Sequence, residues 1–156
     1  MIIRKATPND MNEVHQLITE LAIFEKEPEA VATSPEELLR DGFSEKPLFE
    51  ALVAEVDGQI LGMALYYPRY STWKGKTLHL EDLIVSASHR GKGIGMALYQ
   101  AFLQEAAKQN VRRVEWVVLD WNQNAIDFYE KSGAVVLNDW KTVQMTNQQI
   151  KAFLNQ

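Results

Sequence analysis

Thr77-Leu78-His79-Leu80-Glu81-Asp82-Leu83-Ile84-Val85, then four residues, then Arg90-Gly91-Lys92-Gly93-Ile94-Gly95: this stretch decides the fold. Thr77 to Val85 reads as a strand. Ile94, Ala97, Leu98, Ala101, Phe102 and Ala106 recur at helical spacing and mark an amphipathic helix ending near Asn110. Arg113 to Leu119, β-branched and carrying Trp116, reads as the next strand. Strand, glycine turn, helix, strand is a parallel crossover unit. Alternate glycines let main-chain N–H groups approach a ligand, and a helix start adds unpaired donors and a positive dipole end. Arg90 and Lys92 add charge, so the turn suits a phosphate or pyrophosphate. Two familiar phosphate motifs fail: a dinucleotide fingerprint needs Gly or Ala where Met96 stands, and Gly91-Lys92-Gly93 lacks the Lys-Ser/Thr of a P-loop. A flexible turn with no ligand is the plain alternative.

Upstream, Ile2-Ile3 reads as a short strand. Thr7-Pro8-Asn9-Asp10 reads as a helix start, followed by Met11, Val14, Leu17, Ile18 and Leu21 on one face, with fraying near Phe24 to Pro28. Ser34-Pro35-Glu36-Glu37 is a capping box, and Gly42 can end its helix. Ala51 to Val56 and Gln59 to Tyr67 are two strands joined at Asp57-Gly58, a hairpin signal, with Pro68 expected to close the second. Downstream, Asn122 or Asn124 starts a short helix that Gly133 ends. Ala134 to Leu137 and Thr142 to Met145 read as closing strands, and Gln148 to Leu154 as a last helical turn. The order β-α-α-β-β-β-α-β-α-β-(β) predicts an α+β (α/β layered) fold, a mixed central sheet flanked by helices. No repeat or linker divides residues 1–156, so one domain is expected.

The 156 residues are 46% hydrophobic and 24% charged, the balance of a globular protein. The absence of cysteine excludes disulfides, thiolate metal sites and a cysteine nucleophile. His15, His79 and His89 lie at no metal-ligand spacing, so no metal is expected. No signal peptide or membrane span is evident, which makes the cytoplasm the default compartment and a membrane partner unexpected. With 16 basic and 21 acidic residues the net charge is −5, and no basic face for nucleic acid is evident.

Arg90-x-x-Gly93-x-Gly95 after Leu83-Ile84-Val85 resembles the acetyl-CoA pyrophosphate motif of GNAT-fold N-acetyltransferases. Leu80-Glu81-Asp82, Trp121-Asn122-Gln123, Phe128-Tyr129, Asp41-Gly42-Phe43 and Leu52-Val53-Ala54-Glu55 extend the likeness to the diamine (spermidine/spermine) N-acetyltransferase group over most of the chain. The resemblance implies the GNAT acyl-CoA N-acyltransferase fold, acetyl-CoA as co-substrate and a homodimer.

The chemistry it implies is demanding. An alkylamine of pKa near 10.4 is only about 10⁻³ to 10⁻⁴ neutral at pH 7, and only that form attacks a thioester. The resemblance gives Glu81 the removal of the proton, directly or through a water. A carboxylate in so apolar a strand is otherwise unusual. In a regular strand Asp82 points to the opposite face. The backbone of Leu83, Ile84 and Val85 is implied to bind the pantetheine arm and polarise the thioester. Arg90, Gly91, Lys92, Gly93, Ile94, Gly95 and Met96 are implied to hold the pyrophosphate, and Asn122, Asn124, Ala125 and Tyr129 further cofactor contacts. Tyr129 is the implied acid: a phenol of pKa about 10 can protonate a thiolate. His79 and His89 read as structural.

For the acceptor, Phe24, Glu25 and Glu27 match a region that lines the amine site in the resembling group. Trp73 offers a cation–π wall worth about 0.5–2 kcal/mol. Polyamine-acetylating members carry an acidic residue where this chain has Ser71, and Tyr70 to Lys76 looks more like the thialysine N-acetyltransferase branch. A thialysine- or lysine-like amino acid or short diamine is therefore expected, ahead of spermidine-like polyamines. The rivals are another acceptor (a protein N-terminus or an aminoglycoside), a CoA-binding module without turnover, and a nucleotide-binding protein.

Overall fold

Thr77 to Val85 lies inside the longest pairing of a five-stranded sheet in the computed structural model, which describes residues 1–155. These residues form two compact units, Met1–Val117 and the segment from Val118 onward.

In the first unit the elements are β1 (Ile2–Lys5), α1 (Met11–Phe24), α2 (Pro35–Gly42), β2 (Glu50–Val56), β3 (Gln59–Ser71), β4 (Gly75–Val85), α3 (Ile94–Lys108) and β5 (Val114–Glu115). The strands pair in chain order, antiparallel from β1 to β4, with β4 and β5 parallel across the α3 crossover. Alternation along the strands builds two cores. Leu52, Ala64, Tyr66, Leu78 and Leu80 meet Ile94, Leu98 and Phe102 of α3; Val53, Met63, Leu65 and Ile84 meet Met11, Val14 and Leu17 of α1 and Leu38 of α2.

The capping box holds as read: the Glu37 amide donates to Ser34 Oγ (3.3 Å) and the Ser34 amide to Glu37 Oε2 (3.2 Å). The first helix begins with one 3₁₀ turn at Pro8–Asp10. Asp10, 7% exposed, accepts from Arg4 Nη1 and Nη2 (2.7 and 2.9 Å) and from the Thr7 amide (2.6 Å), and Arg4 also reaches Glu55 (2.8 Å). The bonds from Arg4 hold the Asp10 carboxyl down to about 2. Its folded pKa lies below the unfolded value, so the stabilisation is present above about pH 4 and lost as pH falls through about 2. Asp10→Asn should cost about 2 kcal/mol at pH 7, read as a lower urea midpoint, with the difference shrinking between pH 4 and pH 2.

Two expectations about the sheet need correction. Pro68 does not close β3, which runs on to Ser71. Pro68 lies past Tyr66, the residue that pairs with Glu50 at the near end of β2, so that flank of β3 is an edge, where proline is tolerated. The strand expected over Arg113 to Leu119 is laddered only at Val114 and Glu115, against Leu78 and His79. β4 bends at a bulge just beyond His79, and the parallel partner cannot follow it.

The second unit holds α4 (Gln123–Lys131) and α5 (Asn147–Leu154). Asn122 caps α4, its Oδ1 accepting from the Ala125 amide (3.3 Å), and Gly133 turns away at φ +94°. Thr146 and Gln149 form a capping box for α5. The expected strands Ala134 to Leu137 and Thr142 to Met145 are absent among the described residues; Val135, Leu137 and Val143 are exposed. Alternating apolar residues make a strand only where a neighbour completes the ladder.

Candidate active site

Leu80 and Leu83, three residues apart, both pack on the α3 side of the sheet. Regular alternation forbids this. The pairing steps from Tyr66↔Leu80 to Leu65↔Asp82, so Glu81 is the extra residue of a β-bulge. Beyond it the parity is reversed: Asp82 lies opposite Leu65, on the α1 side, where Glu81 also points. The expectation that Asp82 faces away from Glu81 is thus overturned.

The two carboxylates differ. Glu81 is half exposed, and its Oε2 accepts from the Tyr67 hydroxyl (2.9 Å) and lies 3.7 Å from His79 Nε2. Asp82 is half-buried, and burial first, then the charges of Glu81 and of Glu25 at the end of α1, push its carboxyl up to about 7. Burial also raises the Glu25 carboxyl. Three acidic side chains thus interact on one face, and one of them holds and releases a proton near neutrality.

The same bulge frees a backbone edge. β5 leaves β4 after His79, so from the bulge to Val85 one side of β4 has no strand beside it among the described residues. Leu83, Ile84 and Val85 pair with β3 on the other side. That free edge leads through a short 3₁₀ turn at Ala87–His89 into Arg90-Gly91-Lys92-Gly93. Gly91 (φ +77°) and Gly93 (φ +81°) have left-handed backbones, and nothing lies within 4 Å of where a Cβ would stand on either. The first helical bond of α3 runs from the Ala97 amide to the Gly93 carbonyl, so the amides of Ile94, Gly95 and Met96 precede it. Open left-handed glycines, three such amides and the exposed Arg90 and Lys92 fit the diphosphate of an acyl-CoA.

Helix α1 braces this turn. Glu20 accepts from the Ser86 hydroxyl and the Ala87 amide (3.2 Å each). Arg90 Nε donates to the Val85 carbonyl (3.2 Å), and its guanidinium lies 4.8 Å from the Phe24 ring centre. Phe24, expected beside the amine, is therefore also a platform for a cation of the turn.

Trp73 is not brought to Glu81. It stands 82% exposed at the tip of the β3–β4 hairpin, six residues of strand (roughly 20 Å) away. Ser71 caps that tip, its Oγ accepting from the Trp73 and Lys74 amides (3.3 and 3.1 Å). Glu27 precedes a 3₁₀ turn at Pro28–Ala30 and is exposed. In the second unit, Asn122, Asn124 and Ala125 form the start of α4, and Tyr129 is buried one turn later, edge-on to Phe128 at 5.3 Å. Among the described residues no group of three or more His, Cys, Asp or Glu could hold a metal ion.

Tyr67 is a site residue the sequence did not single out, and Asp82 and His79, read there as facing away and as structural, had been given no part in the site. The signal for Asp82 was a second charge in an apolar strand; no local signal marked the bulge.

Comparison with known proteins identifies the family and the fold. Residues 12–134 match the acetyltransferase (GNAT) family. The chain is 38% identical over 147 residues to a Bos taurus protein named thialysine N-epsilon-acetyltransferase, covering 89% of this chain and 86% of that one. It is also 38% identical over 143 residues to the Homo sapiens spermidine/spermine N(1)-acetyltransferase-like protein 1, covering 87% of this chain but 21% of that longer protein. A solved integron cassette protein from the mobile metagenome of V. cholerae shares the fold, with TM-score 0.81 at 23% identity over 99% of this chain and 98% of that one. An aminoglycoside N-acetyltransferase solved with CoA shares it at TM-score 0.71 and 17% identity, over 93% and 99% of the two chains.

Proposed function

The chain belongs to the acetyltransferase (GNAT) family and is an acetyl-CoA-dependent amine acetyltransferase; from that premise we propose that its acceptor is a small cationic amine, a thialysine- or lysine-like amino acid or a short diamine. The observation that carries the reading is the bulge at Glu81. It gathers Glu81, Asp82 and Glu25 on one face, beside a free strand edge that runs into the glycine turn.

Acetyl-CoA supplies the thioester. The turn from Arg90 to Met96 holds its diphosphate, and the free edge at Leu83 to Val85 receives the pantetheine arm and donates an amide to the thioester oxygen. Glu25 and Phe24 hold the acceptor's cationic chain. Glu81 takes the ammonium proton, directly or through a water, and the freed lone pair attacks the carbonyl carbon. Asp82, half-protonated near pH 7, draws the released proton away from the nucleophile. Tyr129 protonates the departing thiolate, with Asn122, Asn124 and Ala125 contacting the CoA. Trp73, exposed and distant along the hairpin, belongs to an acceptor wall completed in a homodimer. No helix among the described residues is long and apolar enough to cross a membrane.

Ser71 decides between acceptors in this reading. Its hydroxyl caps the hairpin tip and carries no charge, so a long polycation lacks one carboxylate there. In a panel of thialysine, lysine analogues, short diamines, spermidine and aminoglycosides, read by thiol release, thialysine or a short diamine should give the highest kcat/KM. A tenfold preference for spermidine would overturn the acceptor assignment. Light scattering during size exclusion should return twice the chain mass.

A further inference from the structure

A buried histidine without a structural task stands behind the Glu81 carboxylate. His79 is 9% exposed, and its Nδ1 has no hydrogen-bond partner. An imidazole so placed costs more to bury than an apolar ring of the same size. Its Nε2 faces Glu81 Oε2 at 3.7 Å, too long for a hydrogen bond in the neutral state. Its ring stacks on Tyr67, the residue paired with it across β3 and β4, at 5.2 Å and 29°. The Tyr67 hydroxyl donates to that same Oε2 at 2.9 Å. Glu81, as the extra residue of the bulge, has no cross-strand partner to fix its direction.

We infer that Tyr67 and His79 are positioning residues for the Glu81 carboxylate. Tyr67 fixes Oε2 so that Oε1 faces the acceptor, and His79, on protonating at Nδ1, draws the carboxylate into an ion pair and switches it off. The inference rests on Glu81 being the base. In the working state an acceptor N–H bond breaks and an Oε1–H bond forms, while Oε2 stays on the phenol. Burial first and Arg69 of β3 lower the His79 pKa, while Glu81 and Glu115 of β5 oppose them. The ring is therefore neutral at pH 7 and switches only in acid. Burial and the bond to Glu81 push the Tyr67 hydroxyl up to about 12, so it stays a donor throughout. Asp82 and the nearby Glu25 share the face with Glu81, and neither is bonded to His79.

The test uses the full chain and two readouts. With three histidines in the sequence, H79Q assigns the His79 resonance, which is titrated by NMR in wild type and E81Q. His79 should titrate at lower pH in E81Q, because a favourable charge has gone; an unmoved titration overturns the inference. In kinetics with the fastest acceptor of the panel, Y67F should lower kcat about tenfold at unchanged KM for acetyl-CoA. The wild-type to H79Q ratio of kcat/KM should be flat above pH 7 and fall about tenfold per unit below the His79 titration. The ratio cancels the acceptor's own ionisation. A flat ratio from pH 5 to 8, or Y67F at the wild-type rate while E81Q is lost, overturns the inference and leaves the base assignment standing. Wild-type turnover in E81Q removes both.

Discussion

Glu81→Gln should lower kcat by about 10²-fold or more while leaving acetyl-CoA affinity within about twofold. The substitution keeps an oxygen that can accept from Tyr67, so the bulge and its neighbours are undisturbed, and only the proton acceptor is lost. The glycine turn takes no contact from Glu81: its braces are Glu20, Phe24 and the Val85 carbonyl. Calorimetric titration with acetyl-CoA separates binding from turnover. Tyr129→Phe should produce a loss of the same order for the opposite reason, a thiolate left unprotonated, and the two losses should differ in pH dependence. The E81Q rate should recover as pH rises toward the acceptor's pKa, because more amine arrives already neutral, whereas Y129F should not recover. Unchanged rates in either variant would remove that residue from its role.

The legibility of this site from sequence was uneven for physical reasons. The crossover from Thr77 to Glu115 was readable because periodicity 2 gives way to 3.6 across a glycine-rich turn, and local signals suffice for that. The Ser34 and Asn122 caps were readable because a cap is set by residues three apart. Glu81 and the turn residues came from a family likeness, which says which residues matter and not why. The bulge was not readable. It is a property of two strands in register, and nothing in Leu80-Glu81-Asp82-Leu83 shows that a residue has no partner. Two consequences of the bulge were missed with it: the shared face of Glu81 and Asp82, and the early end of β5. Tyr67 was hidden too, because its role depends on pairing opposite His79. The closing strands failed in the reverse direction, where alternation was present and the ladder was not.

The bulge also has an energetic consequence that a stability measurement can detect. Asp82 titrates near 4 in the unfolded chain and near 7 in the folded one, mainly because it is buried and then because Glu81 and Glu25 stand close. Its folded pKa is raised, so between those values the folded state holds a proton that the unfolded state has released, and stability falls as pH rises through that window. Above pH 7 the folded protein carries the full cost of an ionised, half-buried carboxylate. The whole shift corresponds to about 4 kcal/mol, and an asparagine at this depth leaves its own amide to be hydrogen-bonded, which offsets about half. Asp82→Asn should therefore stabilise the enzyme by about 2 kcal/mol at pH 8, a rise of roughly 4–8 °C in Tm for a chain of this length, and destabilise it by about 2 kcal/mol at pH 4, where the wild-type carboxyl is already protonated and only the amide cost remains. The same variant should lose more than tenfold in kcat at pH 8. Greater stability with lower turnover in one substitution is the signature of a group held in an unfavourable state for use rather than for folding. Scanning calorimetry at the two pH values, with kinetics on the same preparations, checks both halves. A Tm that falls at pH 8 would show that Asp82 is held by partners it prefers to ionise beside, and would take away its part in accepting the proton.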